Sequence, residues 1–147
     1  HPDRAASIAP LAGKFGRTVL YSELSFSAEA DIIVVDVMGV LFELYGLADA
    51  AFIGGSMVPM GGQNILEPAI WGIPALHGPY MEDFADHTAR LDSLGAAYRV
   101  SSPSDVESLW RKASSGCLPD CAKAVSNFFS EKSGASARAW RCFEKYL

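Results

Sequence analysis

Residues 54–79, GGSMVPMGGQNILEPAIWGIPALHGP, constrain this chain more than any other part of it. The glycine pairs Gly54-Gly55 and Gly61-Gly62 bracket a short loop after an apolar run, residues 50–53. Glycines directly after a strand let the backbone turn with positive φ and let another group approach the main chain closely. A helix start is predicted at residues 64–68, and a second apolar strand ends at Gly78-Pro79. A helix N-terminus beyond a glycine loop presents unpaired N–H groups and partial positive charge, which suits a phosphate. The layout is that of a nucleotide site at the carboxyl ends of parallel strands.

The surrounding pattern agrees. Residues 17–24, 31–36, 50–55, 74–77 and 96–100 read as strands, and 31–36 (DIIVVD) is apolar enough to be covered on both faces. Helices are predicted over 41–48, 65–71 and 84–94. Strands alternating with helices across short Gly/Pro turns define an α/β fold, a doubly wound Rossmann-like parallel sheet. From Ser104 onward a helical C-terminal tail is expected over 104–115, 119–132 and 135–147, with Ser104 and Glu107 forming a capping box.

Composition narrows the function. The 147 residues fit one domain (1–147), half of them hydrophobic and a fifth charged, which argues against disorder. A net charge of −5 argues against a nucleic-acid partner. No apolar run reaches the ~20 residues of a membrane span. The three cysteines, Cys117, Cys121 and Cys142, cannot all pair with one another and read as reduced thiols; the first two have helix-like spacing.

Individual residues leave alternatives open. Asn64 and Glu67 either cap a helix, with Pro68 making Glu67 an alternative cap, or Glu67 accepts hydrogen bonds from a ribose diol. An ionised carboxylate has two acceptor oxygens and no donors, which matches two vicinal hydroxyls. Ser56 by its hydroxyl and Gly62 by its N–H are candidates for a phosphate loop, or belong to a tight turn. His77 has no acid close in sequence, and His87 lies in a polar helix; both read as structural. Glu82, Asp83 and Asp86 read as a solvated helix start favoured by the macrodipole rather than a metal site. Trp140, Phe143 and Leu147 form an apolar helical stripe.

The string GGS-x5-GG-x-N-x2-EP-x3-GIP-x3-GP resembles the donor-binding half of bacterial 3-deoxy-D-manno-octulosonic acid (Kdo) transferases, which are GT-B glycosyltransferases. Asp36 to Gly39 followed by Leu44-Tyr45-Gly46 is similar to that family's D-x-x-G…LY element, and His1-Pro2-Asp3-Arg4 to the tail of its P-R-H-P-x-R motif. The resemblance implies the C-terminal half of a GT-B fold and transfer of Kdo from CMP-Kdo to the lipid A precursor, at the cytoplasmic face of the bacterial inner membrane. It implies nucleotide contacts from the turn Met38, Gly39 and Val40, and from Asn64, Ile65, Leu66 and Glu67. Many relatives have glutamate where this chain has Val40, so only a backbone contact is expected there.

The same resemblance implies no metal, no cofactor and no catalytic residue among these 147. The base belongs to an N-terminal acceptor domain that this stretch lacks, through which lipid acceptor and membrane would be met. The family's phosphate-binding arginine falls directly before His1, so weak donor binding is expected of this stretch alone. A GT-B enzyme using a UDP-sugar, or a non-catalytic nucleotide-binding module, are the alternatives.

Overall fold

The computed structural model describes residues 2–25 and 29–132. The expected helix over 135–147, Cys142 and the stripe of Trp140, Phe143 and Leu147 lie outside the described residues, as does His1. Two compact units divide the chain, His1–Leu44 and Tyr45–Leu147.

In the first unit, helix α1 (Ala5–Ala12) packs on strands β1 (Thr18–Leu20) and β2 (Ile32–Val34), which pair in parallel with Thr18 opposite Ile32. The sequence pattern hides α1, because Pro10 inside it reads as a breaker. The register is fixed at both strand ends. Arg17 bonds Asp31 through its backbone N–H and guanidinium, and the Asp36 carboxylate accepts from the Ser22 hydroxyl and, at 2.9 Å, from the Ser22 N–H. Those two bonds, the hydroxyl first, hold the Asp36 carboxyl below its ordinary pKa. One expectation needs correcting here. Ile33 is 47% exposed, so β2 is covered on one face, by α1, rather than on both. A short helix α2 (Leu41–Leu44) ends the unit.

The second unit holds β3 (Ala51–Phe52), β4 (Ala75–His77) and β5 (Ala97–Arg99) as a parallel sheet in the order β3-β4-β5. Helices α3 (Leu66–Ile70), α4 (Ala85–Ser93), α5 (Pro103–Ser114) and α6 (Cys121–Lys132) complete it. Alternation along the strands sends side chains to two cores. Ala75 joins Ile65, Ala69, Leu91 and Val125 beneath α3, α4 and α6. Leu76 joins Ala50 and Val100 against Val106 and Leu109 of α5. Helices therefore cover both faces, the doubly wound arrangement that the sequence predicts, and β4 is wholly buried.

The capping box is not Ser104/Glu107. Ser102 is the N-cap: its hydroxyl accepts from Asp105 N at 3.2 Å, while the Asp105 carboxylate accepts from Ser102 N at 2.9 Å. Pro103 then occupies the first helical position, where its missing N–H costs nothing. Glu107 instead pairs with Arg111 one turn on. Cys117 precedes α6, so it shares no helix with Cys121, whose buried thiol is pushed up in pKa mainly by desolvation.

Ser102→Ala should destabilise this unit by about 1 kcal/mol, and Ser104→Ala by much less, in denaturant unfolding. The Ser101 N–H, then Ser102, hold the Asp105 carboxyl below its ordinary pKa. Its capping contribution is thus present above the unfolded value and lost as pH falls through the depressed folded one. The gap between wild type and Ser102→Ala should narrow on acidification.

Candidate functional site

Residues 54–63 form the loop after β3, and 78–83 the turn after β4. Gln63 N donates to Gly54 O at 3.0 Å and closes the loop on itself. Three further bonds tie it to the turn. Gly78 N donates to Ser56 Oγ at 2.9 Å, Tyr80 N to Ser56 O at 3.0 Å, and Asp83 N to Gly61 O at 3.2 Å. Ser56 is fully buried, and its hydroxyl also donates to Ile53 O.

This geometry corrects the phosphate-loop reading of Ser56. The Ser56 hydroxyl is consumed by Ile53 and Gly78 and does not face solvent. Gly62, at φ +78°, is buried where any Cβ would collide with the Met81 sulfur. The Asp83 carboxylate lies against Gly61, where a side chain would meet it. An acid at that point repels a phosphate. The glycines serve close approach of two loops.

The Asn64–Glu67 segment behaves differently. Asn64 Oδ1 accepts from Leu66 N at 3.1 Å, and Asn64 Nδ2 donates to Glu67 Oε1 at 3.2 Å. Asn64 thereby orients the half-buried Glu67 carboxylate through one oxygen and leaves its other acceptor positions unclaimed by Asn64. Neither capping expectation holds in full: Ile65 is the N-cap and makes no side-chain cap bond, and Pro68 is the third helical residue. With five residues, α3 has little dipole to offer. Ile65 is fully buried and anchors the segment, and Leu66 packs on the same core. Close by, burial and then the Glu67 charge push the Tyr45 phenol up in pKa. Tyr45 was not among the predicted site residues, although the LY pair stands in the sequence.

In the first unit, Met38 is 77% exposed and Gly39 has φ +88° with open space where a Cβ would stand. Val40 is half-buried, and its carbonyl accepts from Leu44 N at 3.2 Å as α2 opens.

The remaining candidates sort by contact. His87 packs edge-on against Phe128, with centroids 6.5 Å apart. Glu82, Asp83 and Asp86 are exposed. Among the described residues no three His, Cys, Asp or Glu side chains are grouped to hold a metal, and no helix is long and apolar enough to cross a membrane. His77 does have an acidic partner, Asp92, fifteen residues on and brought to it by α4.

A parallel α/β domain with helices on both faces of its sheet and a glycine loop at the carboxyl edge has the form of the C-terminal half of a GT-B fold. The chain is 36% identical over 106 residues to the 3-deoxy-D-manno-octulosonic acid transferase of Aquifex aeolicus, covering 72% of this chain and 29% of that protein. It is 31% identical to the enzyme of the same name from Chlamydophila psittaci, over 100% of this chain and 35% of that protein. The crystal structure of the C-terminal CMP-Kdo binding domain of WaaA from Acinetobacter baumannii superposes with a TM-score of 0.75 at 26% identity, covering 86% of this chain and 66% of that one. No protein-family model matches. The chain belongs to the 3-deoxy-D-manno-octulosonic acid transferase family, as its C-terminal domain, and spans about a third of the length of these curated relatives.

Ser56→Ala should destabilise the Tyr45–Leu147 unit by about 1–3 kcal/mol, because it leaves the buried Gly78 N–H without an acceptor. Thermal unfolding checks this; an unchanged midpoint would show that the loop seam contributes nothing.

Proposed function

We propose that this domain binds the CMP-Kdo donor of a Kdo transferase and reads its nucleotide through Asn64, Ile65, Leu66 and Glu67, with a backbone contact from Met38, Gly39 and Val40. The observation that carries the reading is the Asn64–Glu67 pair: a half-buried carboxylate oriented by an amide, on the loop edge of a parallel sheet. It has the chemistry for a ribose diol. The likeness to a CMP-Kdo binding domain over 86% of the chain supports the choice of nucleotide.

In the reaction so proposed, the acceptor hydroxyl attacks the anomeric carbon of Kdo and CMP departs with the bonding electron pair. The domain's part is to hold the donor in place, which can account for ~7–11 kcal/mol of a barrier when both reactants are positioned. Loss of the acceptor proton requires a base within hydrogen-bond reach. We place that base, and the lipid A precursor, on the N-terminal domain of the full-length enzyme, working at the cytoplasmic face of the inner membrane. Glu67 is already committed to the nucleotide, and Glu82, Asp83 and Asp86 stand in solvent.

By calorimetry the full-length protein should bind CMP more tightly than UMP or UDP; equal or tighter UDP binding would favour a UDP-sugar enzyme. Glu67→Gln should weaken CMP binding by roughly 1–3 kcal/mol and deoxy-CMP binding by much less. If both nucleotides weaken equally, Glu67 does not read the ribose. Residues 1–147 alone should transfer no labelled Kdo to acceptor; turnover near the full-length rate would place the base within this chain.

A further inference from the structure

The His77 side chain is 96% buried at the end of β4, beside a cavity of about 260 Å³. Its Nδ1 lies 2.8 Å from Gly78 O, and its Nε2 lies 3.0 Å from Asp92 Oδ1. A carbonyl oxygen and a carboxylate oxygen only accept. Both contacts are hydrogen bonds together only when both ring nitrogens carry protons, that is, in the imidazolium. In either neutral tautomer one nitrogen lone pair faces an oxygen.

The residue bonded at Nδ1 is the one that holds the glycine loop. Gly78 N donates to the buried Ser56 hydroxyl, and the neighbouring Tyr80 N donates to Ser56 O. Gly78 has no room for a side chain, since a Cβ would strike the Ser56 backbone. The His77 carbonyl is bonded as well, by Val100 N at 2.8 Å from β5. A continuous run of bonds thus leads from Asp92 on α4 through the His77 ring to Gly78, and from Gly78 to residues 54–63.

Three charged groups stand around the ring: Asp92, bonded to it, and Glu82 and Arg99, which line the same cavity, Arg99 opposite His77 in the strand register. Asp92 is 37% exposed, which gives the site a route for proton exchange with solvent.

We propose that His77 is a positioning residue for the nucleotide site: as a doubly bonded imidazolium it fixes the Gly78–Pro79 turn and, through Ser56, the glycine loop, and its deprotonation loosens nucleotide binding. The nucleotide part rests on the CMP reading above; the proton part does not.

The test uses the full-length protein with ¹⁵N-labelled histidine. Both His77 nitrogens should show protonated shifts at the acid end of the titration. As one is lost, the Gly78 amide should lose protection from exchange, and the CMP Kd should rise roughly threefold to tenfold, the effect of one hydrogen bond. The phosphate of CMP also titrates, so the comparison is with Asp92→Asn. An asparagine amide can donate to a neutral ring at Nε2 and leave Nδ1–H on Gly78, so this variant should keep only the phosphate's own pH dependence. His77→Phe should bind CMP weakly throughout, without the His77 step. A neutral His77 across the range, or an Asp92→Asn profile identical to wild type, overturns the proposal. If the unsubstituted protein binds no CMP at any pH, the CMP reading fails, and the nitrogen shifts and Gly78 amide protection decide the His77 assignment by themselves.

Discussion

The second unit depends on a seam of backbone bonds between two loops, with one buried hydroxyl at its centre. Ser56 donates to the chain behind it, at Ile53, and accepts from the chain beside it, at Gly78. Without that group the seam would keep only its bonds from Tyr80 N to Ser56 O and from Asp83 N to Gly61 O, and the Gly78 N–H would be buried unpaired. An orphaned buried donor costs about 1–3 kcal/mol, a large share of a small unit's stability. The glycines follow from the seam: at Gly62 and Gly78 a Cβ would strike Met81 and the Ser56 backbone. Residues 64–67 leave that loop directly, so the position of Glu67 inherits its order from Ser56.

Much of the fold was legible because its signals are local. Apolar runs of three to six residues between glycines and prolines mark β2 to β5, and their alternation with helical stretches implies a parallel sheet. The errors come where two local signals compete or where the decisive contact is distant. Ser102-Pro103-Ser104-Asp105 and Ser104 to Glu107 both have the capping-box form, and Pro103, which suits only the first helical position, decides for the former. Helix α1 was masked by Pro10. The predicted cover on both faces of 31–36 failed at Ile33, since apolar composition does not say whether a second layer exists to cover it.

The candidate site divides along the same line. Asn64 and Glu67 are three residues apart, and the bond between their side chains was within reach of sequence reasoning. The roles of Ser56, Asp83 and His77 were not, because each is set by a partner 15 to 22 residues away, across a strand, helix or loop. No periodicity encodes such pairings. A lone histidine after an apolar strand gives no hint that an aspartate on the next helix will meet it.

Charge then limits what these loops can recognise. Residues 54–83 contain no lysine or arginine, and they carry Glu67, Glu82 and Asp83. Two like charges about 4 Å apart repel by about 1 kcal/mol in water and about 4 kcal/mol at the effective dielectric of a protein surface. A phosphate settled against Gly61 would meet Asp83 on those terms, and the five-residue α3 offers little dipole in return. A ribose meets no such penalty: it is neutral, and its hydroxyls donate to a carboxylate. The physical chemistry of this stretch therefore favours the sugar end of a nucleotide at Glu67. A cation that compensates the phosphate must come from outside residues 54–83.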